Sequence, residues 1–111
     1  MTAQMLLYRF GPDADFEGRL AGALALRTGR YPVAAARFRQ SISAQPGGWF
    51  SWLGLGLTES ALGHRSSAHR DLAEAYRLDS RQPAVQAAYR QVDSRRPLTV
   101  AQAFRLLILV Q

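Results

Sequence analysis

The chain has 111 residues, 48% hydrophobic and 20% charged, which excludes a disordered chain and sets one globular domain as the expectation. It has no cysteine, so a disulfide framework, a thiol nucleophile and a cysteine-based zinc site are all excluded. The net charge is +6, and all 14 basic residues are arginines; there is no lysine and no asparagine, a bias that fits GC-rich bacterial codons as well as an anionic partner.

Hydrophobic periodicity predicts helices at 2–10, 15–28, 32–44, 49–62, 66–78, 83–94 and 99–110. Asp13 and Asp15 are expected to cap the second, and Pro32 sits in the first turn of the third, where its missing N–H costs nothing. The turns are "AQPGG" (44–48) and "DSRQP" (79–83). Ser66 or Ser67 is expected to cap the fifth helix, "SRRP" (94–97) to end the sixth, and Thr99 to cap the last. No stretch at the start has the basic opening and long apolar run of a signal peptide. The most apolar stretch, 98–111, is too short to span a bilayer and contains Arg105.

The chain matches itself at a shift of 34 residues. Gly22 falls on Gly56, Gly29 on Gly63, Ala34 on Ala68, Phe38 on Leu72 and Pro46 on Ser80; Pro12 stands 34 before Pro46. Each period reads as helix, glycine turn, helix, turn. Glycine inside a helix costs roughly 1 kcal/mol against alanine. Gly22 and Gly56 are therefore expected to permit close helix crossing, opposite Ala34 and Ala68. Gly29 and Gly63 are expected to end helices in the left-handed conformation. Gly54 has no place in the pattern and is expected at the surface, on the groove side. A phosphate-binding reading of "GLGLTE" is weak, because no strand precedes it and Glu59 stands where the third glycine belongs.

"WLGLGLTESALGHRSSAHRDLAEAYRLDS" resembles the tetratricopeptide repeat through Trp52, Leu55, Gly56, Gly63, Ala68, Leu72 and Ala75. The preceding period matches through Gly22, Gly29, Tyr31, Ala34, Phe38 and Pro46. Glu59 stands for the usual aromatic, Ser80 for the terminal proline and Gly18 for the tryptophan. The resemblance implies an all-α solenoid of antiparallel helix pairs in a single domain over 1–111. Its repeats would run over about 15–48 and 49–82, with a partial repeat at 83–96, a C-terminal apolar helix at 98–111 and capping segments at the two ends.

No catalytic constellation is expected. His64 and His69 are five apart, not the i, i+4 pair of a helical metal site, and read as solvent-exposed. Ser66 and Ser67 lack an orienting carboxylate and read as caps. Asp71 and Glu74 lie among Arg70 and Arg77 and read as a solvated, paired face. The expectation is therefore a non-enzyme with no cofactor and no metal.

The resemblance places the concave groove on the first helix of each repeat: Phe16, Arg19, Ala23, Leu26 and Arg27, then Phe50, Leu53, Leu57, Ser60 and Ala61, then Ala84, Ala87, Gln91 and Arg95. The partner-binding set is Phe16, Arg19, Leu26, Arg27, Phe50, Leu53 and Leu57, apolar with arginines at the rim. Of the positions that grip a C-terminal carboxylate in one branch of the family, only Arg19 has a suitable side chain; Ala23, Gly54, Ala84 and Ala88 occupy others. The groove thus suits an amphipathic helix or an apolar peptide. The last helix is apolar nearly all round and must be buried somewhere. Its Phe104, Leu107 and Ile108 can form a next layer, fill the groove or pair with a second chain as a homodimer contact.

These readings make the chain a scaffold, adaptor or chaperone-like assembly factor that binds another protein; bacterial secretion, pilus and envelope assembly systems commonly use such modules. It is expected to be cytoplasmic, or periplasmic as a piece of a larger envelope protein. Two alternatives stand beside this: a basic helical repeat binding nucleic acid through its dispersed arginines, which lack interleaved aromatics and are disfavoured on that ground, and a self-associating structural module.

Overall fold

The computed structural model describes residues 12–109. Among them there is no strand, and the chain forms six helices: α1 Pro12–Arg27, α2 Tyr31–Ala44, α3 Trp49–Ala61, α4 Arg65–Leu78, α5 Pro83–Gln91 and α6 Val100–Leu109. The helix expected at 2–10 lies outside the described residues.

Consecutive helices pack together: α1 on α2, α2 on α3, α3 on α4, α4 on α5 and α5 on α6. The architecture is all-α and repeat-like. The 34-residue register is visible in it: Ala34 and Ala68 are both fully buried, as are Phe38 and Leu72. Gly29 and Gly63 both have positive φ, 76° and 81°. Each closes its helix with the same pair of bonds. Arg30 N–H donates to Ala25 O (2.8 Å) and Gly29 N–H to Leu26 O (3.2 Å); His64 N–H donates to Glu59 O (2.9 Å) and Gly63 N–H to Ser60 O (3.0 Å). These are Schellman closures, and only glycine takes the left-handed position at no steric cost.

Several boundaries differ from the sequence reading. α1 starts at Pro12, so Asp13 and Asp15 sit in its first turn rather than at the cap. His64, not a serine, is the N-cap residue of α4, without a side-chain bond, and Ser66 and Ser67 are inside the helix. α5 ends at Gln91, which leaves 94–97 and Arg95 in a connection. Thr99 does cap α6: Gln102 N–H donates to Thr99 Oγ1 (3.2 Å) and Thr99 N–H to Gln102 Oε1 (2.9 Å), a reciprocal capping box.

The centre of the core is the Phe38 ring, held between two helices by glycines. A Cβ on Gly22 of α1 would lie 2.9 Å from its Cδ1, and a Cβ on Gly54 of α3 would lie 2.3 Å from its Cζ. Gly54, expected at the surface, is therefore a core position: the ring rests on its bare backbone. Gly56 faces Leu72, at 2.5 Å for an added Cβ, rather than Ala68 as expected. Gly18 lets α1 approach the backbone of α2 itself, since its Cβ would sit 2.7 Å from Arg37 O. Beside this apolar centre runs a chain of hydroxyls: Ser41 donates to Asp15 Oδ1 (2.6 Å) and shares a 2.6 Å bond with Ser51 Oγ. The buried Ser41, at the position of Ala75 in the next period, thus has partners in both α1 and α3.

Candidate functional site: the concave face and its resident helix

Four of the seven residues expected to bind a partner converge. Leu26 of α1 and Phe50, Leu53 and Leu57 of α3 line one apolar gap, with Phe38 and Gly54 at its floor. The other wall is the chain's own last helix: Ala103, Phe104 and Leu107 of α6 line the same gap. α6 reaches this position by packing on both α5 and α1. α6 thus packs on the preceding helix, as a next layer would, and also walls this gap. Leu53 and Leu57, expected as free anchors, are core residues, 1% and 5% exposed. Phe50 is half-buried and edge-on to the Phe38 ring, with centroids 6.5 Å apart.

The remaining predicted residues stand elsewhere. Phe16 is 58% exposed and does not line the gap. With Leu20 and Leu24, each 61% exposed, it forms a stripe along α1. Leu20 and Leu24 were missed, although their spacing of four from Phe16 places all three on one helical face. Arg19 forms an ion pair with Asp15 Oδ1 (3.3 Å) and lies 5.9 Å from the Phe16 ring, so its charge partners belong to its own helix. Arg27 is exposed in the last turn of α1, next to Leu26. On α6, Phe104 and Leu107 are half-buried against the gap, whereas Ile108 is 68% exposed and faces away.

A buried polar cluster lies between the two helix pairs. Glu59 is buried, and its two carboxylate oxygens accept from Arg39 Nη2 (2.8 Å) and bond His64 Nδ1 (2.7 Å). This explains the departure from an aromatic at position 59: the carboxylate ties α2 to the α3–α4 turn. His64 keeps its exposed edge, as expected, but has a partner. His69 pairs with Asp93 (3.2 Å) and lies tilted against the Tyr89 ring, with centroids 5.5 Å apart. Asp71, expected on a solvated face, is buried. Burial first, and the nearby Glu59 carboxylate second, push its pKa up to about 6, with Arg70 and Arg39 opposing. Glu74 does sit on the surface, hydrogen-bonded to Arg77, which holds its carboxyl below the ordinary value.

Among the described residues no group of His, Asp and Glu gathers in a way that could hold a metal ion. No helix among them is long and apolar enough to cross a membrane. Comparison of the chain with protein-family models, with curated proteins and with solved structures gives no significant match.

Proposed function

We propose that the chain is a non-enzymatic protein-interaction module of the tetratricopeptide-like kind, an adaptor or assembly factor that takes an apolar helix of its partner on the concave face. One observation carries this reading. The surface made by Leu26, Phe50, Leu53 and Leu57 accommodates an apolar helix, because α6 lies in it. The 34-residue spacing of two identical glycine closures supports the kinship with helical repeats that bind peptides in this way. Burial of aromatic and leucine side chains supplies the affinity at such sites, at roughly 1.5–3 kcal/mol for each side chain fully covered.

The test is a photo-crosslinking residue at Phe50, compared with the same residue at Val33 on the far helix α2. Protein captured from the cell through position 50 and not through 33, and unaffected by nuclease, is the expected result. Equal yields at the two positions, or adducts that vanish with nuclease, would overturn it and return the question to the arginines.

A further inference from the structure

One face of α1 is left uncovered among the described residues. Phe16, Leu20 and Leu24 are 58%, 61% and 61% exposed. They follow one another at four-residue steps, so they line one side of the helix. The opposite side carries Gly18 and Gly22, through which α1 meets α2. The stripe is thus a different surface from the apolar gap, to which α1 contributes Leu26. Thirty-four residues later the same positions are Phe50, Gly54 and Thr58. There a neighbouring helix does pack: Phe38 of α2 lies against Gly54 and Phe50, and Thr58 is fully buried. The stripe therefore occupies a place in the repeat where helix meets helix.

The charges beside it select the partner. Glu17 stands three residues before Leu20, and Arg27 three residues after Leu24, so each borders the stripe. Both are exposed, and among the described residues neither is in an ion pair. The order reads the same in both directions along the helix: charge, leucine, leucine, charge, at spacings of three, four and three residues. Only the sign of the charge is reversed. Such a face is complementary to itself when turned end for end. Two α1 helices laid antiparallel, crossing level with Gly22, set each copy's Leu20 against the other's Leu24 and each Glu17 beside the other's Arg27. A parallel pairing would set acid against acid.

From this we infer that the α1 stripe is a self-association surface, and that its occupant is the α1 of a second copy of the chain. Leu20 and Leu24 form the centre, Phe16 closes each end, and two Glu17–Arg27 ion pairs fix the antiparallel direction. Each copy contributes only three large apolar side chains, so the dimer is weak and reversible, with a dissociation constant on the order of 0.1 mM.

Sedimentation equilibrium of the full chain, from about 10 μM to about 1 mM so as to bracket that constant, should show monomer and dimer in exchange. Leu20→Glu should abolish the dimer and keep the helicity, because the side chain it replaces is exposed; Leu24→Gln serves if that variant loses helicity. Glu17→Arg and Arg27→Glu should each weaken the dimer several-fold, since each puts like charges together twice in the symmetric pair. Combining the two reversals restores opposite charges and should bring the dimer back to wild-type strength. The losses in the single variants should shrink as salt rises from about 50 to about 500 mM.

A chain that stays monomeric throughout would overturn the inference and leave the stripe to the segment before Pro12 or to a different protein. A dimer unmoved by Leu20→Glu would lie on another surface, such as α6, and would overturn it as well. A dimer that Leu20→Glu abolishes but the paired reversal does not restore would overturn the antiparallel arrangement. None of these results bears on the concave-face reading, whose crosslinking position, Phe50, is on α3.

Discussion

Gly54→Ala tests the packing of the whole core, and two effects oppose each other there. Alanine is the better helix former by about 1 kcal/mol. Against this, the new methyl would lie 2.3 Å from Phe38 Cζ, 2.4 Å from Cε1 and 2.7 Å from Cε2. Carbon atoms rest at roughly 3.5–4.0 Å, so the ring would have to move by more than an ångström. Gly22 brings the α1 backbone against two of the same ring atoms, Cε1 and Cζ, and Phe38 is fully buried, so the ring can yield only toward the apolar gap that it borders. Overpacking a core typically costs about 1–3 kcal/mol, and a fully buried ring approached by two helix backbones belongs at the upper end. The net expectation is a loss of about 2 kcal/mol. Urea unfolding followed by circular dichroism should show the midpoint falling by about 1 M with the slope unchanged. Phe38→Leu removes the clashing ring atoms, so the double variant should lose at least about 1 kcal/mol less than the sum of the singles. A Gly54→Ala chain as stable as wild type, or more stable, would refute the sandwiched ring.

Other perturbations follow the same reasoning. Gly63→Ala meets no neighbour, so its cost is the positive φ alone, about 1 kcal/mol by the same unfolding assay; Gly47→Ala, equally uncrowded and without positive φ, should stay within about 0.5 kcal/mol of wild type. Asp71 holds its proton more tightly folded than unfolded, about 6 against 3.8, so its contribution is present at low pH and is lost as pH rises through that window. Asp71→Asn should raise stability at pH 7.5 by up to about 3 kcal/mol and flatten the profile between pH 4 and 6, read by thermal melts across pH. Arg39→Ala and His64→Ala each take a partner from the buried Glu59 carboxylate and should cost about 1–3 kcal/mol, whereas Glu59→Ala leaves unpartnered only two side chains that are largely in solvent and should cost less than those two losses combined in denaturant titrations.

The elements of this fold were largely legible in the sequence because each rests on local chemistry. Gly29 and Gly63 end helices where a left-handed residue is needed, and Thr99 marks the start of the last one. What escaped was set by neighbours distant in the chain. Nothing around Gly54 states that Phe38, on another helix, lies against it. Asp71 sits among arginines and reads as surface until the fold buries it beside Glu59. The apolar content of α6 required a buried place, but only its packing on α1 and α5 decided which. The residues that line the gap, Leu26, Phe50, Leu53 and Leu57, stand at positions the repeat register singled out, but the burial of the leucines was not legible there.

The covalent link between α6 and the surface it covers has a quantitative consequence. A tethered segment meets its site at an effective concentration in the millimolar range for a short flexible link, whatever the concentration of the protein. Any free ligand for Leu26, Phe50, Leu53 and Leu57 therefore faces a competitor that dilution cannot remove. Its apparent dissociation constant rises by the inverse of the fraction of chains in which α6 is away. If that fraction is about 1%, a ligand of intrinsic nanomolar affinity behaves as a roughly 0.1 μM ligand. The eight residues from Val92 to Thr99 set that threshold by packing as well as by length, because Val92 and Leu98 within them are themselves buried in the core.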